Sequence, residues 1–432
     1  MPTSKMSNEH DLTDLKKLQE ENKRHRSLLE VTQSLSSVID LESLLFRIMD
    51  VVRENLSADR CTVFLLDTET NELWSKAAIG VKDEIRFPAD VGIAGHVAST
   101  GEILNIPDAY ADSRFNPEID KKTGYKTNNM LTMPMCNNQN EVIGVFQVLN
   151  RREGPFTEDD EELLSAISLI AASAIENAIL YTEVRRSFVS FIETLSSTLD
   201  ARDYITSGHS RRVTLYSVQI ARLMRLPAKE INLIRYSAML HDIGKLGVPE
   251  IVLFKNKKLS EDEYEIIKQH AVLSKGILSK IQFRKDLREV PAIASSHHEK
   301  IDGTGYPEGL KGDSIPRGGK ILAVCDVFDA LTSRRQYRDR MELDKVIDLL
   351  ENETGSSFEP FVVYHFKNIP LNVLIEILEF GHNTNLDKDD LEYLKKFKLS
   401  DIVEVLKNGA ESDEDKKLEK VFLQYYQRKY RG

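Results

Sequence analysis

The sequence predicts an α+β domain that a long helix joins to an all-α helical bundle. Short runs rich in β-branched and aromatic residues, separated by Gly, Pro and Asn, occur only between about 60 and 150. Apolar residues then recur every three or four positions from 158 to 199, and no convincing strand pattern follows residue 200. A chain of 432 residues accommodates two or three such domains.

Composition narrows the class of protein. Hydrophobic residues make up 41% and charged residues 29%, which is typical of a folded domain rather than a disordered chain. The net charge of -11 argues against a DNA- or RNA-binding protein, so an anionic substrate would need a local basic pocket. Cys61, Cys136 and Cys325 form no CxxC pair and are expected to be reduced. Without a signal-peptide core or a run of about 20 apolar residues, we expect a cytoplasmic chain with no membrane insertion.

The N-terminal half divides into a charged helix and a sheet-containing domain. Residues 1–29 are charged with interspersed leucines, which predicts an exposed helix or short coiled coil. A further helix is expected over 31–57, and strands over 61–66, 72–78 and 142–149. We expect an antiparallel sheet with flanking helices over 30–180, an arrangement typical of sensor domains.

The helix predicted over 158–199 connects the two halves. Its apolar positions form a seam that favours packing against the same helix of a second copy, and hence a parallel homodimer. Beyond it, helices are expected throughout, including three in a C-terminal extension at 369–432.

Histidine and aspartate pairs indicate a metal site. His241-Asp242 follows an apolar helical run and His297-His298 forms a second pair, while His209, His270 and Asp326 are isolated candidates. A single histidine is more often a core or surface residue than a ligand, but five in such settings are harder to explain by chance. Imidazole and carboxylate ligands suit Fe, Mn or Zn better than Mg or Ca, and the lack of thiolate partners argues against structural zinc. Two neighbouring ions would activate water and neutralise a phosphodiester.

Two long motifs then resemble the HD-GYP family of cyclic di-GMP phosphodiesterases. HDIGK at 241–245 and HHEKIDGTGYP at 297–307 match its signatures, and the resemblance extends over roughly 190–366, which sets the predicted domain at 185–368. It implies cyclic di-GMP as substrate, two divalent ions, and contacts with diguanylate cyclases of the GGDEF family. The resemblance implies seven metal ligands, with Asp242 bridging the ions: His209, His241, Asp242, His270, His297, His298 and Asp326. It implies as substrate contacts Lys245, Gly303, Gly305, Tyr306, Pro307, Arg335 and Arg338.

One departure from this family concerns the number of metals. Some members have a Glu four residues before the first ligand histidine and bind three ions, but Ile205 occupies that position here. Because an isoleucine cannot ligate, the resemblance predicts two ions, Fe or Mn. The product stays open between linear pGpG and GMP.

The N-terminal domain resembles cyclic-nucleotide-binding GAF domains. The similarity is close over 91–161, and it includes Asn150-Arg151, Phe156 and Asp160-Glu161 where those domains have Asn-Lys, Phe and Asp-Glu. The resemblance implies a regulatory ligand, cAMP or cGMP by hypothesis, although such domains also bind other small molecules or only dimerise. The segments that usually surround the ligand contain Ile93, Ala94, Asp108, Ala109, Arg114, Thr127 and Asn128.

Two other classes of function compete with a gated phosphodiesterase. The chain could be a non-catalytic sensor that binds cyclic di-GMP and recruits partners, but all seven expected ligands are present. It could be a general HD phosphohydrolase of nucleotides, but those proteins lack the GYP stretch.

Overall fold

A computed structural model describes residues 26–75, apart from 27, 36, 37 and 39, and then 84–202, 208–255, 257–333, 340–380 and 385–427. The chain forms two compact units, Met1–Ser187 and Phe188–Gly432.

The first unit is built on a six-stranded antiparallel sheet with the strand order β3-β2-β1-β6-β5-β4. Residues 28–35 are helical before it. Its elements are α1 (Leu41–Asn55), β1 (Ala58–Asp67), β2 (Glu72–Ser75), β3 (Ile85–Pro88), α2 (Gly92–Thr100), β4 (Leu104–Ile106), α3 (Pro117–Thr123), β5 (Met130–Cys136), β6 (Val142–Arg151) and the start of α4 (Glu158–Arg202).

The two faces of this sheet have different cores. On one face, α1 and α4 pack through residues such as Ile48 and Ile167 against Val63 and Phe146. On the other face, α2 and the loops around it cover a smaller cluster that includes Phe64. This sheet with flanking helices confirms the α+β architecture predicted for the domain.

Helix α4 was expected to present one continuous seam to a partner, but the structure divides that seam. Ile167 and Ala178 are buried in the core of the first unit, whereas Tyr181, Val184 and Phe191 are exposed. The amphipathic pattern therefore serves the sheet core in its first half.

Helix α4 also corrects the expectation that no segment is apolar enough to cross a membrane. Its part Glu158–Leu199 has the length and composition of a membrane span. One face of it, with Leu164, Ala171 and Ile175 among the buried residues, packs in the hydrophobic core under the sheet. Since a core helix and a membrane span can share this composition, the segment gives only weak evidence for a membrane.

The second unit is helical in all its named elements, as predicted. After the end of α4 these are α5 (His209–Leu223), α6 (Ala228–Leu240), α7 (Glu250–Leu253), α8 (Glu261–Leu278), α9 (Val290–Ser295), α10 (Arg317–Thr332), α11 (Leu343–Asn352), α12 (Pro360–Lys367), α13 (Leu371–Leu378), α14 (Lys388–Leu394), α15 (Leu399–Asn408) and α16 (Asp413–Tyr426).

The C-terminal extension shares one hydrophobic core with the preceding helices. Its described residues form four helices, α13 to α16, where three were predicted. The short α14 is separated from α15 by a turn of only four residues, so the sequence pattern predicts the two as one. Arg340 connects the extension to the preceding helices. Its guanidinium donates to the carbonyl oxygens of Leu378 (3.2 Å) and Tyr426 (3.1 Å). It also forms an ion pair with the buried Glu379 (3.2 Å). Removal of either charged partner would leave the other buried and unpaired.

Candidate metal centre and cleft

Five segments of the second unit bring the predicted metal ligands together. His209 is the first residue of α5, and Gly208 before it has a φ of 75°. His241 directly follows α6, and Asp242 begins the short turn after it. His270 lies in α8, Asp326 lies in α10, and His297-His298 follows α9.

A close backbone approach fixes the His241-Asp242 turn against α8. A Cβ atom at Gly244 would lie 1.9 Å from the carbonyl oxygen of His270 and 2.5 Å from the backbone nitrogen of Ser274. The Ser274 hydroxyl donates to the carbonyl oxygen of His241 and accepts from the Gly244 N–H, both at 2.8 Å. Only glycine permits this contact, which places His270 beside the His-Asp pair.

The side-chain donors form two overlapping halves around Asp242. On one side His209 Nε2 lies 3.1 Å from Asp326 Oδ1, and His241 Nε2 lies 3.4 Å from Asp242 Oδ2. On the other side His270 Nε2 lies 3.6 Å from Asp242 Oδ1. The two carboxylate oxygens of Asp242 thus face different histidines.

Within the described residues, three groups of donors are compact enough to hold a metal ion. Within each group the ligand atoms lie within 4.8 Å of one another. The groups are His209-His241-Asp326, His241-Asp242-His297 and His270-His297-His298. Moreover, His241 Nε2 is buried and has no hydrogen-bond partner in the part of the chain that the structure describes, an arrangement that a metal ion would satisfy. The donor set therefore fits divalent transition metals.

Backbone carbonyls orient three of the histidine rings. The Nδ1 atoms of His241, His270 and His297 each lie 2.7 Å from the carbonyl oxygen three residues earlier in the chain. A proton on Nδ1 leaves Nε2 as the free lone pair that points at the cluster.

His209 is oriented differently, through the buried carboxylate of Asp329, which was not among the predicted site residues. Asp329 Oδ2 lies 2.8 Å from His209 Nδ1, and Arg212 Nε donates to Asp329 Oδ1 at 2.7 Å. Asp329 lies three residues after Asp326 on the same helix, and that spacing was the only available signal. A carboxylate behind a ligand histidine fixes its tautomer and raises its basicity.

The pKa directions of His270, His297 and Asp326 match the protonation states of metal ligands, whereas His209 would have to lose a proton to ligate a cation. Burial lowers the pKa of His270 and of His297 to about 4, so both imidazoles are neutral near pH 7. For His209, burial acts in the same direction, but hydrogen bonds to Asp326 and Asp329 outweigh it and raise the pKa to about 10. Burial would raise the pKa of Asp326, yet His209 holds it far below its usual range. Asp326 is therefore a carboxylate that can ligate a cation.

Six of the donors, all except the fully buried His241, line a cleft of about 590 Å³ whose wall also contains Lys245, Lys268 and Lys300. Lys245 Nζ lies 2.6 Å from Asp242 Oδ2, one helical turn beyond the His-Asp pair. The lining also contains the carboxylates of Asp242, Asp326, Glu299 and Glu353, so these lysines offset acidic groups and do not by themselves make the cleft basic.

The Gly-Tyr-Pro loop forms another wall of the cleft. Tyr306 stacks on His298 with ring centroids 4.7 Å apart, and its peptide bond to Pro307 is cis. Gly303 has a φ of 86°, and a Cβ atom at Gly305 would lie 2.4 Å from the backbone nitrogen of Lys300. These two positions therefore require glycine.

The buried carboxylate of Glu299 holds this loop in place. It accepts the N–H groups of Glu308 (2.7 Å) and Leu310 (2.8 Å). Glu299 lies inside the predicted motif but was not selected, because its role depends on the loop folding back over it. The remaining predicted substrate contacts, Arg335 and Arg338, lie outside the described residues, as does Ile205.

In the first unit, the predicted ligand residues lie on α2 and in the segment between β4 and β5. Ile93 and Ala94 are buried on α2, and Ala109 is fully buried. Asp108 accepts the N–H of Tyr110 and caps a short helical turn.

Three further predicted ligand residues take part in hydrogen bonds within the domain. Arg114 is paired with Asp112 at 2.7 Å, and Thr127 is buried with its hydroxyl donating to Asp120 at 2.9 Å. The backbone N–H of Asn128 donates to the Asn150 side chain at 2.7 Å. The side chains of Arg114 and Thr127 are therefore engaged within the domain, and Asn128 is held through its backbone.

A polar row on the sheet was missed by sequence reasoning. Gln147 on β6 lies opposite Thr62 on β1 and Thr132 on β5, so all three side chains share one face. Thr132 is fully buried and its hydroxyl has no hydrogen-bond partner among the described residues. A buried hydroxyl without a protein partner beside Gln147 and Thr62 is a place where a water molecule or a polar ligand can bind.

The Asn-Arg…Asp motif supports this face from behind. Asn150 accepts from the Asn128 N–H and donates to the carbonyl oxygen of Lys126 at 2.8 Å. Arg151 Nε lies 2.8 Å from Asp160 Oδ2, as predicted, although the two groups are not aligned for a hydrogen bond. The motif therefore holds the loop that precedes β5.

Comparison with known families agrees with both domains. Residues 40–175 match the family described as GAF domain, and residues 193–362 match the family described as HD domain. The chain therefore combines a GAF domain with an HD domain.

Individual proteins of similar sequence extend this comparison. The chain is 35% identical over 211 residues to 3'3'-cGAMP-specific phosphodiesterase 2 of Vibrio cholerae, covering 49% of this chain and 40% of that protein. It is 38% identical over 186 residues to a cyclic di-GMP phosphodiesterase of Thermotoga maritima, covering 43% and 50%. It is 38% identical over 166 residues to the cyclic di-GMP phosphodiesterase response regulator RpfG of Xanthomonas campestris, covering 38% and 44%. The chain thus spans half or less of the length of these relatives.

Proposed function

We propose that the chain is a metal-dependent phosphodiesterase that opens cyclic di-GMP. The observation on which this rests is the convergence of seven histidine and aspartate donors, six of which line a cleft that also contains three lysines. The donors suit metal ions and the lysines suit phosphate groups, so one cleft offers both requirements of phosphodiester hydrolysis.

The residues of the cleft divide the work between them. Bound divalent ions would supply Lewis acidity, lowering the pKa of water and neutralising charge on the phosphate. His209, His241, Asp326 and the second half of the cluster would hold them, with Asp242 shared between the halves. Lys245, already 2.6 Å from Asp242, is placed to neutralise the scissile phosphate as charge develops.

Cyclic di-GMP is the substrate that the GYP motif favours. Relatives of the chain include phosphodiesterases named for cyclic di-GMP and for 3'3'-cGAMP, so a cyclic dinucleotide is the shared class of substrate. We infer two ions, Fe or Mn, because Ile205 replaces the glutamate that would hold a third. The product is then pGpG, GMP or both.

We also propose that cAMP or cGMP binds the GAF domain and regulates the enzyme. The unsatisfied hydroxyl of Thr132 and its neighbour Gln147 support a polar ligand on that face of the sheet. Calorimetric titration of the intact chain with each nucleotide tests this, with Thr132→Val as the matched variant. Heat in the wild type that weakens in the variant is expected, and no heat with either nucleotide would refute the proposal.

A homodimer through α4 is the proposed route of coupling. Tyr181, Val184 and Phe191 remain exposed along this helix, which leaves an apolar strip for the same helix of a second copy. Sedimentation at micromolar concentration should show a dimer, and a monomer would remove the basis for this coupling. Contacts with diguanylate cyclases stay a prediction from the family resemblance.

The catalytic proposal is tested by incubation with cyclic di-GMP and Mn²⁺ or Fe²⁺. Wild-type protein should turn the substrate over, and Asp242→Ala should lose nearly all activity because both halves of the cluster share this carboxylate. Equal turnover in both proteins would contradict the metal mechanism. Binding without turnover in either would favour the alternative of a non-catalytic sensor.

A further inference from the structure

One wall of the cleft belongs to no motif of the predicted site. It is formed by Leu349 and Glu353 at the end of α11 and by Ser357 and Phe358 in the turn that follows. Ser357 and Phe358 are buried and Glu353 is half-buried. A ligand that fills the cleft would therefore contact this wall as well as the metal donors.

Backbone hydrogen bonds make this wall rigid. The carbonyl oxygen of Glu353 accepts the N–H groups of Ser356 (3.2 Å), Ser357 (2.9 Å) and Phe358 (3.1 Å). The turn is also joined to the Gly-Tyr-Pro loop, since the Asp302 N–H donates to the Ser356 carbonyl oxygen at 2.8 Å. A preorganised wall can discriminate between ligands, because it does not rearrange to accept a poor one.

The carboxylate of Glu353 differs from those of nearby glutamates, which form ion pairs with lysines. Glu351 is paired with Lys367 and Lys407, and Glu359 with Lys320. The Glu353 carboxylate makes no hydrogen bond or ion pair with the described residues. A carboxylate in a cleft for phosphates repels them, so its natural partner is a ligand group with hydrogen-bond donors.

We propose that Glu353 accepts hydrogen bonds from the Watson–Crick edge of a guanine base and so requires at least one guanine in the substrate. This inference rests on the proposed function. Guanine presents two adjacent donors on that edge, which match the two oxygens of a carboxylate. Adenine presents one donor and one acceptor, and the acceptor would face a carboxylate oxygen. With one such carboxylate on this wall, cyclic di-GMP and 3'3'-cGAMP fit and cyclic di-AMP does not.

The test compares three cyclic dinucleotides in wild-type protein and Glu353→Gln. A glutamine keeps the shape but offers one donor and one acceptor, which suits adenine. The ratio of kcat/KM for cyclic di-GMP to that for cyclic di-AMP should fall by at least about tenfold in the variant. Glu376→Gln is the matched control: it removes the same charge from an exposed position on α13, outside the cleft lining, and should leave the ratio unchanged.

Binding measured separately distinguishes failure of this inference from failure of the proposed function. Calorimetry with cyclic di-GMP and cyclic di-AMP is carried out on Asp242→Asn protein with and without Glu353→Gln. An unchanged ratio of rates in an active Glu353→Gln enzyme overturns the inference and leaves the phosphodiesterase intact. If wild-type protein hydrolyses none of the three, the proposed function fails. Calorimetry then decides on Glu353 alone: weaker binding of cyclic di-GMP in Glu353→Gln supports its role, and equal binding overturns it.

Discussion

Gly244→Ala should dismantle the metal centre through a single methyl group. The new Cβ would lie 1.9 Å from the carbonyl oxygen of His270, whereas ordinary contact begins at 3.4 Å. The turn and α8 would have to separate by about 1.5 Å, which moves His270 away from Asp242. The hydrogen bond from the Gly244 N–H to Ser274 would lengthen as well.

The size of the effect follows from this displacement. Overpacking by one methyl group in a tight contact costs about 1–3 kcal/mol of the free energy of unfolding, and backbone atoms that cannot rotate away put this site at the upper end. A displacement of about 1 Å in a catalytic site costs about 100-fold in rate. We therefore expect a loss of about 3 kcal/mol in stability and at least about a 100-fold loss of turnover of cyclic di-GMP.

Urea denaturation, metal analysis and turnover measure these effects together. Gly276→Ala on α8, the helix that the Gly244 turn contacts, is the matched control. A Cβ atom at Gly276 would meet nothing within 4 Å. That control should be neutral or stabilise the protein by about 0.5–1 kcal/mol, since alanine favours helix. A Gly244→Ala protein with wild-type stability and metal content would refute the claim that this contact sets the position of His270.

Three further predictions concern residues behind the two sites. Asp329→Asn should weaken metal binding about 10- to 100-fold in a competition titration, because His209 loses the carboxylate on Nδ1; unchanged affinity would contradict this. Glu299→Gln leaves one backbone N–H of the Gly-Tyr-Pro loop without an acceptor, so KM for cyclic di-GMP should rise about tenfold at unchanged metal content; a loss of metal instead would assign Glu299 to the centre itself. A hydrogen bond from Arg114 holds the pKa of Asp112 at about 2, below its ordinary 3.8, so the stability that this pair gives is present above pH 3.8 and is lost as pH falls through 2. Arg114→Ala should raise the pKa of Asp112 in an NMR titration, and an unchanged pKa would exclude this cause.

The cluster of candidate metal ligands was predictable from sequence because four of its members occur in two pairs and within long motifs. His241-Asp242 and His297-His298 are adjacent in the chain, so each pair can be recognised from the local sequence alone. The residues that orient and support them were not predictable. Arg212 meets Asp329 across 117 positions, and Gly244 owes its role to a helix that passes against it. Such contacts exist only in the folded chain.

The strands of the sheet could also be predicted only in part from the sequence. Three strands were predicted and are present, but Ile85–Pro88, Leu104–Ile106 and Met130–Cys136 were missed. Two of these have only three or four residues, too few to show alternation. The third contains Pro134, which argues against a strand in isolation, although it is paired with Val145 here. Tertiary pairing overrides the local preference at that position.

Restoration of activity to metal-stripped protein tests the central claim most directly. The intact chain is treated with a chelator, and turnover of cyclic di-GMP is then measured after addition of Mn²⁺, Fe²⁺, Mg²⁺ or Ca²⁺. We predict loss of turnover in the chelator and recovery with Mn²⁺ or Fe²⁺, because a cluster of five imidazoles and two carboxylates favours these ions over Mg²⁺ and Ca²⁺. Turnover that persists in the stripped protein would contradict the metal-dependent phosphodiesterase proposed here.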